Sequence, residues 1–360
     1  TDISEEKPSS FGKDIPISAA KKMLIKTGRT VNDLYQVIDL HCDTIAQMDT
    51  KKRTGLSLRE NTMDIDLQRM KKGGYRCQCF SLFTYLKDVR ERGETPFAHV
   101  CKLADYWDNE IGKNDDMIRK GTSYQDILDH QAAGKMTAMM TVEEGAVYEG
   151  KIENLHELYR RGVRISTLTW NFQNELGYPN PMKKDGTTGA PDDVNGLTGT
   201  GIEMIREMER LGVLVDISHL NDAGIRDVFS YIKGPVIASH SNTRAECDHL
   251  RNLSDEMVRS LAEHGGVAGI NYCPFFLKTG ETVARCEDII RHMRHFKQVG
   301  GIDCIALGSD FDGFDGTTEF RGAEGMQLLA DAMDAAGFST DEIEKVFSKN
   351  ALRVFKDVLR

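Results

Sequence analysis

Short apolar runs recur along the chain at residues 37–42, 76–83, 136–143, 164–169, 213–218, 235–240, 266–272 and 303–309. Each is rich in Val, Ile, Leu, Phe, Met or Cys and has the length of a buried strand. Segments with helical period separate them: 63–72, 97–119 with 124–134, 151–161, 202–211, 221–231, 254–263 and 281–299. Two more, 321–336 and 339–359, follow the last run. Strands alternating with helices predict parallel βαβ units. Eight of them predict an α/β fold of the closed (β/α)8 TIM-barrel type over residues 37–360, with the last helices closing it as one domain. The alternative is an open doubly wound sheet, but no Gly-x-Gly-x-x-Gly follows the first run.

The punctuation fits this rhythm. Ser254-Asp255-Glu256-Met257 and Ser339-Thr340-Asp341-Glu342 are capping starts. Gly73-Gly74 and Gly265-Gly266 end helices just before strands. The longest irregular stretch, 170–199, holds Tyr178-Pro179-Asn180-Pro181, Asp185-Gly186-Thr187-Thr188-Gly189 and Asn195-Gly196. A loop of this length following the fourth strand reads as a lid or binding loop over the active face of a barrel. Residues 1–36 read as an N-terminal extension, with a short helix signal at Ser18-Ala19-Ala20-Lys21-Lys22-Met23.

Composition narrows the class. The chain has 360 residues, 40% hydrophobic and 28% charged, which is ordinary globular composition. A net charge of −10 argues against nucleic acid or an anionic membrane as partner. The eight cysteines include no Cys-x-x-Cys and mostly lie in apolar runs, so they read as buried thiols and point to a reducing compartment. Cys77-Gln78-Cys79 would place both thiols on one strand face, where core packing is the expected role. No apolar run is long enough to cross a membrane. The polar start, Thr1-Asp2-Ile3-Ser4, lacks a signal-peptide core, so the expectation is a cytoplasmic protein; a leader cleaved before Thr1 is compatible with it.

The chemistry gathers at strand ends. His41 and Asp43 close the first run and, two residues apart, share a face, with Cys42 on the other. Glu143 ends the third, His219 follows the fifth, His240 ends the sixth and Asp310 follows the eighth. All six sit at C-terminal ends, where barrels build their sites. One metal needs three protein ligands and an open position. Six groups therefore allow a pair of ions about 3.5–4 Å apart with a bridging hydroxide as nucleophile, and one unligated carboxylate to move protons. Nitrogen and oxygen donors without thiolate suit Zn²⁺, and also Mn²⁺, Co²⁺ or Fe²⁺.

Taken in order, His41-x-Asp43, Val142-Glu143, Ile165-Ser166-Thr167-Leu168-Thr169, Asp216-Ile217-Ser218-His219, His240-Ser241, Arg251-Asn252 and Gly308-x-Asp310-Phe311-Asp312-Gly313 resemble the membrane (renal) dipeptidase family of amidohydrolase-type barrels. The resemblance runs from Val37 to the closing Asn350-Ala351-Leu352-Arg353-Val354-Phe355. It implies a dipeptidase with two Zn²⁺ per chain: His41, Asp43 and Glu143 on one ion, Glu143, His219 and His240 on the other, and Asp310 as the catalytic proton-transfer residue. It also implies that Arg251 pairs with the carboxylate of a dipeptide substrate, a role that suits its planar fork. Tolerance of a D-residue at the C-terminal position belongs to the same expectation.

Three departures stand out. Where mammalian members of that family carry Leu-Thr-His, this chain has Leu168-Thr169-Trp170-Asn171, so Trp170 and Asn171 become the candidate substrate-binding residues. Ser348-Lys349-Asn350 stands where Gly-Gly-Asn is usual, at a helix start. Glu144 adjoins Glu143 and would face away if the strand continues. The runner-up activity is another metal-dependent amidohydrolase, acting on cyclic amides, esters or N-acyl amino acids; such barrels often carry a carboxylated Lys, and none is evident here. A metal- or peptide-binding barrel without catalysis is the third reading. His99, His130, His156, His264, His292 and His295 fall on helices and read as surface or packing residues. His249 is a cleft candidate, Asp312 reads as structural, and Trp170 with Tyr178 would line the pocket. The composition is compatible with a homodimer.

Overall fold

Parallel strands close on themselves in the computed structural model, which describes residues 34–50, 55–182 and 189–359. The strands are β1 (Val37–Cys42), β2 (Tyr75–Phe83), β3 (Met136–Glu143), β4 (Val163–Thr167), β5 (Leu214–Asp216), β6 (Ile237–Ala238), β7 (Val267–Ile270) and β8 (Ile305–Leu307). Each pairs in parallel with the next, and β8 pairs with β1 through Leu307 and Asp39. The result is a (β/α)8 barrel, with spatial order equal to chain order because each crossover helix packs outside. Residues 35–360 form one compact unit. The extension and short helix expected over residues 1–36 lie, up to residue 33, outside the described residues.

Alternation fills the barrel. Ile38, Leu40, Cys77, Cys79, Met139, Ile165, Leu214, Ile237, Val267 and Ala306 all point inward and form one buried cluster. Ala351, Val354, Phe355 and Leu359 of the last helical segment join that cluster. Arg353 fixes the segment by donating to the Gly265 and Asp303 carbonyls, just before β7 and β8. The C-terminal segment thus plugs the N-terminal end of the barrel, leaving the opposite end for chemistry. All eight cysteines are free, seven of them buried. Among the described residues, no helix is long and apolar enough to cross a membrane.

Helix boundaries follow local chemistry. Ser254 and Ser339 cap their helices, the latter in a full capping box with Glu342. Gly74 ends the helix before β2 at φ 84°, a left-handed position that glycine occupies without strain. Two expectations need correction. The segment 97–119 is not one helix: Pro96–Gly112 is helical, and Ile118–Lys120 is a short strand beside β3. Asp115 and Asp116 follow that helix's negative end, where acidic residues disfavour continuation. The segment 339–359 is broken by a π-turn at Lys345–Lys349. That wide turn leads into Asn350, whose amide donates to the Ile302 and Ile305 carbonyls under β8.

A bulge in β1 matters for the site. Between Asp39↔Gln78 and Cys42↔Phe80, β1 has one residue more than β2. Strict alternation would put His41 on the face of Asp39, outside the barrel. The extra residue turns His41 inward beyond Leu40 instead, which is what bulges near active sites do. Asp39 holds the bulge, accepting from the amides of His41 (3.3 Å) and Ser309 (2.8 Å) and from the Ser309 hydroxyl (2.6 Å).

Candidate metal centre

Six side chains converge at the C-terminal mouth of the barrel, all nearly excluded from solvent: His41, Asp43, Glu143, His219, His240 and Asp310. Glu143 is the middle of the cluster. Its Oε1 lies 3.0 Å from His219 Nε2 and 3.4 Å from His240 Nε2, while its Oε2 lies 3.2 Å from His41 Nε2. On the His41 side, Asp43 Oδ2 is at 3.7 Å and Asp310 Oδ1 at 3.9 Å. One carboxylate thus presents each of its oxygens to a different group of donors.

Backbone strain marks the same place. His219 and Asp310 sit at φ 67° and 60°, and Glu144 at 89°, conformations that side chains rarely adopt. Glu144 does turn away: its carboxylate accepts from the Ala146 and Trp170 amides and from Asn174 Nδ2, tying the start of the long loop to β3. The loop is also pinned over His219, whose carbonyl accepts from the Asn180 amide at 2.8 Å. Gly313 is required by closeness: a Cβ there would lie 2.1 Å from Asp43 Oδ2 and 2.4 Å from Asp310 Oδ1.

Two of the imidazoles, His219 and His240, are prepared for metal. His240 Nδ1 meets Ser239 Oγ at 2.7 Å, and that hydroxyl donates to Asp216 Oδ2 at 2.5 Å. The hydroxyl proton being used, Nδ1 is the donor and Nε2 keeps its lone pair toward Glu143. Asn171 Oδ1 accepts from His219 Nδ1 at 3.2 Å, with the same effect. Burial pushes His219 down to about 4, helped by the Arg251 charge, and holds His240 well below its ordinary value, helped by His41. Burial opposes a charge on His41 too, but Glu143 and Asp43 outweigh it and raise its pKa well above normal. Glu143 is held well below the usual range despite burial, by His41 and the other two imidazoles. Burial first, then neighbouring Asp43 and Glu143, lifts Asp310 to about 7 against the pull of His41.

The residues fit a metal. His41 Nε2 and Asp43 Oδ1 are buried without a hydrogen-bond partner, and His41-Glu143-His240 and His41-Asp43-Asp310 each bring ligand atoms within 4.8 Å of one another. Two ligands on a tetrahedral Zn²⁺ are about 3.3 Å apart, given bonds of about 2.0–2.1 Å. The spacings around Glu143, from 3.0 to 3.4 Å, are close to that.

Beside this cluster, Arg251 is 2% exposed. Its guanidinium donates to Ser241 Oγ and the His240 carbonyl, and Nε is buried and unpartnered. No carboxylate lies within ion-pair distance of it among the described residues, and burial lowers its pKa. His249 supports the Arg251 turn, its Nδ1 accepting the Arg251 amide at 3.1 Å. Asp312 is a latch, accepting from Thr44 Oγ1 and the Asp64 amide. Trp170 stands 6.0 Å from the His219 ring, and Asn171 is committed to His219. Sequence reasoning passed over Asn271, whose amide holds Asp310 Oδ2 at 2.9 Å. Its position just past β7, one of two strands without an assigned site residue, was the available signal.

A barrel with such a cluster at its C-terminal mouth defines a metal-dependent hydrolase. The chain belongs to the membrane dipeptidase family, peptidase family M19, whose sequence model matches residues 26–360. An uncharacterized dipeptidase of Schizosaccharomyces pombe is 29% identical over 352 residues, which is 89% of this chain and 80% of that protein. An uncharacterized protein from the pqqA 5′ region of Klebsiella pneumoniae is 33% identical over 228 residues, 62% of this chain and 83% of its own. Among solved structures, a Rhodobacter sphaeroides metallo peptidase liganded with a phosphinate mimic of L-Ala-D-Ala superposes with TM-score 0.81 at 23% identity, over 91% of this chain and 100% of its own. A metallo peptidase of family M19 described as dipeptidase AC gives TM-score 0.81 at 24% identity, over 90% of this chain and 98% of its own.

Proposed function

We propose that this metallopeptidase hydrolyses dipeptides at a centre of two Zn²⁺ ions, with a D-residue accepted at the C-terminal position. The two-sided placement of Glu143 carries the reading. Its Oε2 faces His41 and Asp43, which with it would hold one ion, and its Oε1 faces His219 and His240, which with it would hold the other. The metals would supply Lewis acidity toward the scissile carbonyl and a nucleophile at hydroxide level near neutral pH.

The chain's own residues supply the rest. Arg251, buried and without a carboxylate partner among the described residues, binds the substrate carboxylate through its fork. Asp310 takes the proton from the nucleophile on Oδ1, the oxygen facing His41, and returns it to the leaving amine. Its other oxygen is fixed by Asn271. A small site that reads both the free carboxylate and the free amine excludes longer peptides. The D-residue reading draws on the L-Ala-D-Ala mimic in the Rhodobacter sphaeroides relative.

The test is metal content per chain, alongside hydrolysis of di- and tripeptides in L,L and L,D forms, with and without chelator. About two equivalents of zinc, with chelator-sensitive cleavage of dipeptides alone, are expected. Asp310→Asn should keep the metal and lose about 10²–10⁴ in kcat. Near-wild-type turnover in that variant overturns the proton-transfer role. Two metals without dipeptide cleavage would move the activity to another amidohydrolase substrate, and no metal after metal-replete purification would undo the ligand set.

A further inference from the structure

We propose that Phe83, Tyr85, Trp170 and Phe172 form a subsite that selects dipeptides with a large apolar or aromatic N-terminal residue. This rests on the dipeptidase reading and names its preferred substrate. The four rings touch in a chain: Phe83–Trp170 at 5.0 Å, Tyr85–Trp170 at 5.6 Å, and Tyr85–Phe172 and Trp170–Phe172 both at 5.8 Å. Each is only half-buried, unlike the fully buried aromatics of the core such as Phe80 and Phe311. An aromatic patch left open beside a reaction centre is suited to an apolar ligand group.

Its placement is built in. Ser81 points into the barrel mouth, where its hydroxyl reaches Glu143 Oε2 at 3.2 Å. Phe83, two residues on, points the same way and pairs in register with Glu143 itself. Trp170 is held by its amide to Glu144, and its ring contacts that of His219 at 6.0 Å. The aromatic wall therefore begins one side chain away from the Glu143 cluster.

The ring order of the barrel sets which end of the substrate meets it. In an eight-strand ring, β2 lies opposite β6 and β4 opposite β8. Phe83 and Tyr85 come from the end of β2, Trp170 and Phe172 from the loop after β4, and Arg251 from the loop after β6. A dipeptide with its carboxylate on Arg251 and its scissile bond over Glu143 must direct its N-terminal side chain across the mouth, toward the aromatic wall. The C-terminal side chain stays on the Arg251 side.

The experiment compares kcat/KM for Phe-Ala, Gly-Ala and Ala-Phe, with the second residue in both configurations, on the metal-replete protein and on Trp170→Ala, Phe83→Ala and Phe172→Ala. The wild type should favour Phe-Ala over Gly-Ala by about 10- to 100-fold. In Trp170→Ala and Phe83→Ala that ratio should fall to within a few-fold of one, with Phe172→Ala between. A ratio is independent of the fraction of folded enzyme, so partial misfolding does not mimic the effect. A flat wild-type profile, a preference confined to Ala-Phe, or a ratio unchanged in all three variants overturns the subsite while leaving the dipeptidase reading intact. No cleavage of any dipeptide overturns both.

Discussion

Ser239 contributes no atom to the Glu143 cluster, yet it decides which nitrogen of His240 carries the proton. Its hydroxyl is directed to Asp216, so it accepts from His240 Nδ1 and leaves Nε2 bare. Ser239→Ala should therefore weaken metal binding about 10- to 100-fold, the usual cost of losing a partner behind a ligand. Competition against a chromophoric chelator measures this, and an unchanged affinity would mean that another contact fixes the imidazole. The residues that gather at the mouth were legible in the sequence because His, Asp and Glu at strand ends are unusual residues in expected places. Asp39, Ser239 and Asn271 were not. In a strand, a buried Ser or Asn looks like any satisfied polar group until its partner is known, and the partner of Asp39 is Ser309, on the far side of the chain.

At the scale of elements, the rhythm of strands and helices was legible because periodicity is a local property. The bulge in β1 was not, since it depends on a register with β2 and on the Asp39–Ser309 contact. A second long-range tie is His292, read from sequence as a helical surface or packing residue and found fully buried. Its Nδ1 accepts the Thr243 amide at 3.2 Å and its Nε2–H donates to the Leu277 carbonyl at 2.9 Å. That pattern requires the neutral ring, and burial accordingly pushes its pKa down to about 4. The folded state thus binds fewer protons than the unfolded chain between the unfolded value of about 6.5 and the folded value. The stabilisation is complete above about 6.5 and is lost as pH falls toward 4, roughly 3 kcal/mol in all at 1.36 kcal/mol per unit. Urea midpoints at pH 7.5 and 5 for wild type and His292→Gln should show the gap between them narrowing at the lower pH. The metal centre's own pH dependence is common to both and cancels in the difference. A gap that does not change with pH would place the acid sensitivity elsewhere.

The whole molecule separates its two ends. The number of strands implied closure, and closure implied that chemistry sits at one mouth; how the other mouth is sealed needed the structure, because Arg353 ties the last helix to the Gly265 and Asp303 carbonyls, far away in sequence. Phe355 is fully buried in that seal, among residues lining the inside of the barrel, and Val354 and Leu359 accompany it. Truncating a buried Phe leaves a cavity and costs about 3–5 kcal/mol. The Glu143 cluster stands at the other end, held by Asp39, Ser239, Asn171 and Asn271, none of which belongs to the closing helix. Phe355→Ala should therefore lower the urea midpoint by an amount matching about 3–5 kcal/mol, while the folded protein keeps its metal content and its kcat/KM on dipeptides. Loss of stability at the floor with an intact centre at the mouth is what independent ends require. A variant that folds but binds less metal, or shows a raised KM, would mean instead that strain at the floor is transmitted along the strands to the side chains at their tips.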